Sequence, residues 1–218
     1  MIVKVCGMRG AENIRQISRL DIDWMGLIFY RRSPRFFETG ETVQGVRDLL
    51  DASSGRPRLV GVFVNEGVEK MMETANRYGL DYLQLHGNES PDDCYALQKR
   101  GWAVIKAFSI ASEEDLARTC PYEGRVDYFL FDTACPGYGG SGKSFDWNVL
   151  ASYRGTTPFL LSGGIGPESL EALWAFRHPR WAGIDLNSGF ETEPGHKDLD
   201  KLAPFVARIK AQTPSKQK

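Results

Sequence analysis

Apolar residues along this chain gather in short runs, and the runs give way to small or polar residues. Residues 2–6, 24–29, 59–64, 82–85, 103–108, 128–132, 159–161 and 182–186 are such runs. Apolar runs of this length bounded by turn signals predict strands buried on both faces. The stretches between them have helical spacing. Ile14, Ile17 and Leu20 share one side of a helix over 10–20, and Val68, Met71, Met72 and Ala75 form an i, i+3, i+4, i+7 stripe. Ser90-Pro91-Asp92-Asp93 reads as a helix start. Ser is the N-cap, Pro takes the first helical position, and the acids lie at the positive end of the dipole. Further helices are expected over 42–50, from Pro167-Glu168 onward, and through Leu199, Leu202, Val206 and Ile209, with Pro204 tolerated only in a first turn. The segment from 109 to 119 predicts a weak helix at best, 147–152 a short one, and 213–218 a frayed polar tail.

The strand-like runs begin about every 26 residues, the spacing of alternating strand and helix. Eight such units predict an α/β protein, a single-domain (β/α)8 TIM barrel over 1–210 followed by a polar C-terminal tail at 211–218. A doubly wound open sheet would more usually carry six or fewer strands.

Composition narrows the function. The chain has 218 residues, 42% hydrophobic and 25% charged, which suits one globular domain with a sizeable core. A net charge of -1 gives no general attraction to nucleic acid or to an anionic membrane. No apolar run approaches the roughly 20 residues of a membrane-spanning helix, and the opening residues lack the layout of a secretory signal. Cys6, Cys94, Cys120 and Cys135 form no C-x-x-C pair, and His86, His178 and His196 are scattered, so no metal site is expected. Reduced thiols in a cytoplasmic protein account for the cysteines.

In a barrel, the C-terminal ends of all strands face one mouth, where sites are built. Those ends carry Cys6, the loop Ser33-Pro34-Arg35, His86, Asp132, Ser162-Gly163-Gly164, and Asp185 with Asn187-Ser188-Gly189. Each has a plain structural reading. A buried Cys is a small hydrophobe, Arg35 a solvated surface charge, His86 a hydrogen-bonding scaffold residue, Asp132 a turn residue. Asp185 reads equally as a residue that ties down a loop, and Gly163 and Gly164 as a simple turn. The two glycine loops after the seventh and eighth strands are more specific together, because barrels bind phosphate there with backbone N–H groups. A rival reading starts from Gly137 to Ser144, which spells G-x-x-x-x-G-K-S. A nucleotide-binding loop of that kind opens a long helix at once, whereas Phe145-Asp146-Trp147 intervenes here.

Several of these pieces together resemble phosphoribosylanthranilate isomerase. They are Lys4-Val5-Cys6-Gly7-Met8, Gly26 to Phe29 with Ser33-Pro34-Arg35, Gln84-Leu85-His86-Gly87, Asp132-Thr133 with Gly139-Gly140-Ser141-Gly142, Phe145-Asp146-Trp147, Ser162-Gly163-Gly164, Gly183-Ile184-Asp185, Asn187 to Glu191, Pro194-Gly195 and Lys197-Asp198. The likeness runs in order from residue 3 to about 198. It implies an enzyme of tryptophan biosynthesis. That enzyme converts N-(5-phosphoribosyl)anthranilate to 1-(2-carboxyphenylamino)-1-deoxyribulose 5-phosphate without cofactor or metal, as a monomer or homodimer. It puts Cys6 on the family's general base, Asp132 on its general acid and Arg35 on the position that binds the anthranilate carboxylate. His86, Asp185, Gly163, Gly164, Ser188 and Gly189 are the further substrate-binding candidates. Two positions depart from the family pattern: Ser162 stands where a small apolar residue is expected, and Asn187 where Ser or another small residue is expected. A catalytically silent sugar-phosphate-binding barrel is the competing class, and the joint presence of Cys6, Asp132 and Arg35 argues against it.

Overall fold

The structure, a computed structural model, describes residues 1–37, 50, 55–133 and 147–211. Eight parallel strands close on themselves in chain order: β1 (Ile2–Val5), β2 (Trp24–Ile28), β3 (Arg58–Phe63), β4 (Tyr82–Leu85), β5 (Ala103–Ile110), β6 (Tyr128–Thr133), β7 (Phe159–Ser162) and β8 (Trp181–Leu186). β8 returns to pair with β1, with Lys4 opposite Asp185. The expected (β/α)8 architecture is therefore present, each strand within a residue or two of its predicted bounds.

Closure explains why the apolar runs are nearly continuous. One set of side chains fills the barrel, with Trp24, Val60, Tyr82, Ile105, Leu130 and Leu160 among them. The alternate set, including Val3, Leu27, Leu83, Phe129, Phe131 and Ile184, packs outward against the helices. Strands covered on both faces have no polar side to alternate with.

The α-helices among the described residues are α1 (Ala11–Ser18), α2 (Val68–Tyr78), α3 (Pro91–Lys99), α4 (Leu170–Ala175) and α5 (Leu199–Ala211). The predicted start of α3 is as expected. Ser90 Oγ accepts from the Asp93 N–H at 3.1 Å, and Asp93 returns the bond to the Ser90 N–H at 2.9 Å. Gly79 ends α2 in the left-handed conformation (φ 59°), where a Cβ would be strained.

Three elements differ from expectation. Residues Glu113–Tyr122 form a 3₁₀ run rather than a weak α-helix. Only Leu116 and Thr119 are buried there, and Pro121 lacks an N–H, so nothing anchors a full α-helical stripe. Pro204 lies in the second turn of α5, not the first. The carbonyl it leaves unpaired belongs to exposed Asp200, while burial of Leu202, Phe205, Val206 and Ile209 holds the helix together. Finally, β9 (Glu191–Glu193) and β10 (His196–Lys197) form a small antiparallel hairpin after β8. The helix expected over 42–50, the glycine run at 137–142 and the tail at 213–218 lie outside the described residues, apart from Leu50.

Candidate active site

Strand parity decides which side chains reach the mouth. On β1, Lys4 and Cys6 are two residues apart and share the inner face, while Val3 and Val5 point to the helices. The same rule brings Gln84 and His86 inward at β4, Asp132 at β6, Ser162 at β7 and Asp185 at β8. Lys4 stays below the cavity floor, while Cys6, Gln84, His86, Asp132, Ser162 and Asp185 line one cavity of about 290 Å³, together with Gly163, Gly164 and Ser188. Its apolar wall includes Ile28, Val62 and Ile165. Of the nine residues singled out from the sequence, seven line this cavity. Arg35 and Gly189 do not.

Cys6 sits just past β1, its N–H donating to the Leu186 carbonyl at 2.8 Å. It is buried (3% exposed) against β2, where a methyl added at Gly26 would lie 2.6 Å from the sulfur. Burial pushes the thiol up from its ordinary value, the Lys4 and Lys197 ammonium groups pull it back, and Asp185 adds to the rise. Below it, Lys4 Nζ and Asp185 Oδ2 form an ion pair of 2.9 Å inside the barrel. Burial would lower Lys4, but the Asp185 carboxylate and the sulfur outweigh it and hold the ammonium charged.

Across the cavity, His86 Nε2 stands 3.7 Å from Asp132 Oδ2, both side chains 35% exposed. His86 Nδ1 meets Gln84 Nε2 at 2.9 Å. With the amide as donor, the ring proton sits on Nε2, facing the carboxylate. Among the described residues, Gln84 Oε1 and Asp185 Oδ1 are buried without a hydrogen-bond partner. Two unmatched acceptors on opposite sides of the ring suit a ligand bearing hydroxyl groups.

Arg35 is held in two-pronged fashion by Glu191 on β9. Its Nε lies 2.9 and 3.0 Å from the two oxygens, and Nη2 lies 2.6 Å from Oε2. Glu191 also accepts from Lys197 Nζ at 2.5 Å. Burial raises the Glu191 carboxyl, but the Arg35 and Lys197 hydrogen bonds outweigh it and leave the value lowered. Lys197 is 1% exposed, donates to Asn187 Oδ1 at 2.8 Å, and has its backbone clamped at both groups by the Asn13 amide. Asn187, a departure from the family pattern, thus has a defined partner. The guanidinium stem passes over Gly7 (φ 75°), where a methyl would lie 2.8 Å from Arg35 Cδ.

After β7, Gly163 and Gly164 take φ of 82° and 64°, which only glycine adopts freely, and so turn the backbone into the cavity. Gly189 packs against the same loop from behind, where a methyl would lie 2.2 Å from the Ile165 carbonyl oxygen. It brings the two loops together rather than lining the cavity.

Sequence reasoning passed over Lys4, Gln84, Glu191, Lys197, Asn13 and Gly26 as working parts. Lys4 and Gln84 carried a signal, each a polar residue inside an apolar strand, in phase with Cys6 and His86 respectively.

The chain matches the family described as N-(5'phosphoribosyl)anthranilate (PRA) isomerase over residues 3–208. It is 63% identical to the N-(5'-phosphoribosyl)anthranilate isomerase of Parabacteroides distasonis, over 96% of this chain and 93% of that one. The phosphoribosyl anthranilate isomerase of Thermotoga maritima superposes with a TM-score of 0.79 at 32% identity, covering 97% of this chain and all (100%) of the other. A further isomerase, solved with reduced 1-(o-carboxyphenylamino)-1-deoxyribulose 5-phosphate, gives a TM-score of 0.78 at 31% identity, with 97% and 100% covered.

Proposed function

This chain belongs to the phosphoribosylanthranilate isomerase family, and on that premise we propose which of its residues perform the reaction and how. The enzyme is an isomerase of tryptophan biosynthesis acting on a small phosphosugar substrate. It converts N-(5-phosphoribosyl)anthranilate to 1-(2-carboxyphenylamino)-1-deoxyribulose 5-phosphate.

The observation that carries the assignment is that Cys6 and Asp132 line one cavity from strands three places apart round the ring. An acid that acts on the ring oxygen and a base that acts on C2, the two atoms flanking C1, need separate approaches to the sugar. Asp132, in its acid form, protonates the ring oxygen. The C1–O bond breaks with its electrons going to that oxygen, and the anilino nitrogen lone pair forms the C1=N iminium. The Cys6 thiolate then removes the proton from C2. The C–H electrons form the C1=C2 bond, the iminium electrons return to nitrogen, and the enol becomes the 2-ketone. His86 faces the Asp132 carboxylate and steadies the charge left there once its proton is gone. No cofactor has a part in these steps.

Gly163, Gly164, Ser188 and Gly189 form the phosphate cradle, supported by the inward turn of the first two and the close packing of the last. The unmatched oxygens of Gln84 and Asp185 accept from ribose hydroxyl groups. Arg35 takes the anthranilate carboxylate with the N–H groups that Glu191 leaves open. A structure with reduced product tests the placement. The phosphate belongs on these backbone groups, with C2 beside Cys6 and the carboxylate at Arg35. A phosphate bound near residues 137–144 instead would contradict it.

The enzyme is read as cytoplasmic, on its biosynthetic role and on the three described cysteines, all free. Among the described residues no helix is long and apolar enough to cross a membrane. Monomer and homodimer both fit the chain. Tyr95 is the one large hydrophobic side chain exposed among the described residues, so a partner subunit would meet a largely polar face.

A further inference from the structure

A lysine without any solvent exposure inside a barrel is costly, since several kcal/mol of hydration are lost per buried ion. A pair of apolar residues would fill the same space at no such cost. Lys4 nevertheless stands there, one layer below Cys6 on the same face of β1. Its ion-pair partner is Asp185 Oδ2, across the β1–β8 seam. The other oxygen of Asp185 has no hydrogen-bond partner among the described residues. The Lys4 ammonium charge favours the Cys6 thiolate, against burial and the Asp185 carboxylate.

Among the described residues, the remaining charged and titratable groups near the sulfur are Lys197 and Glu191 from the hairpin, Arg35 from the loop after β2, and His86 and Asp132 across the cavity. Glu191 answers one of the two positive charges of Lys197 and Arg35 and holds both at hydrogen-bond distance on the hairpin side of the mouth. Lys4 differs in place: it is buried inside the barrel, on the strand that leads to Cys6.

We propose that Lys4 is a positioning residue for Cys6: its buried ammonium, paired with Asp185 one layer below the sulfur, is the fixed positive charge that lets the sulfur stand as a thiolate when C2 is presented. This rests on the reading of Cys6 as the base. It makes the free enzyme, rather than the substrate iminium alone, the source of positive surroundings for the thiolate. Asp185 works against Lys4 at the sulfur while holding it in place, so the two residues have opposite effects on one measurable quantity.

The test is the pH dependence of Cys6 alkylation by iodoacetamide, read on the Cys6 peptide by mass spectrometry so that the other cysteines do not interfere. Lys4→Met should slow alkylation near neutral pH by at least about tenfold, one pH unit of titration. Lys4→Arg should stay within a few-fold of wild type. Asp185→Asn, with the opposing anion gone, should speed alkylation. If Lys4→Met does not fold by circular dichroism, Lys4→Met/Asp185→Asn leaves no unpaired buried charge and should be slower than Asp185→Asn alone. A Cys6 titration unmoved by loss of Lys4, in whichever background folds, overturns the proposal, as does slower alkylation in Asp185→Asn. These readouts do not depend on turnover. Failure of Cys6 as the base would appear instead as normal turnover in Cys6→Ser.

Discussion

Arg35 keeps two of its nitrogens on Glu191, which makes its proposed role in substrate binding a question of what is left over. The guanidinium has five N–H donors in a planar fork, so it can serve Glu191 and a substrate carboxylate at once. A lysine point charge cannot reproduce that geometry. Arg35→Lys is therefore expected to weaken substrate affinity although the charge is kept. Arg35→Ala should weaken it further, by roughly 1.5–3 kcal/mol for one charged hydrogen bond. KM and kcat at fixed salt check this, and unchanged values in Arg35→Ala would leave the residue as no more than a brace for the hairpin. At this scale the sequence was informative where chemistry coincides with a strand end, as at Cys6, His86 and Asp132. It was silent where a side chain is defined by a partner far along the chain. Glu191 lies 156 residues from Arg35 and Asp185 lies 181 from Lys4, and neither pairing has a local signal.

At the scale of elements, the strands were legible because period and length both pointed one way, and α3 because its cap is written in four consecutive residues. The 3₁₀ run Glu113–Tyr122 was not, because its stability comes from outside itself. Glu123, which follows it, accepts from the Tyr153 hydroxyl at 2.7 Å and from the Thr156 and Thr157 hydroxyls at 2.9 and 2.8 Å. It thereby ties this run to the segment that leads into β7. Burial raises the Glu123 carboxyl, but the Tyr153, Thr157 and Thr156 hydrogen bonds outweigh it and leave the value lowered. A lowered folded value means that the brace contributes fully above the unfolded value, about 4.3 for Glu. The contribution fades as pH falls through the folded value. Glu123→Gln should lower Tm near neutral pH, by roughly 2–4 °C for each kcal/mol lost in a domain of this size. The gap from wild type should narrow in acid. A gap that stays constant down to strongly acid pH would show that the charge has no part in the brace.

The whole molecule is organised by closure. β8 returning to β1 sets Lys4 against Asp185, and the same ring sets Cys6 and Asp132 on separate sides of one mouth. Eight repeats of strand and helix announced that ring, and ring order alone brought most of the predicted residues to one cavity. What repeats cannot announce is the hairpin after β8, whose Glu191 and Lys197 lie beside the mouth without belonging to any strand of the barrel. In the proposed mechanism this mouth carries one base, Cys6, and one acid, Asp132. The most direct measurement is the initial rate of anthranilate fluorescence change with freshly made substrate, for wild type, Cys6→Ser and Asp132→Asn side by side. Each variant should keep its fold and its KM while losing at least about 10²-fold in kcat, the usual scale of acid–base catalysis. A kcat within a few-fold of wild type in either variant would contradict the account.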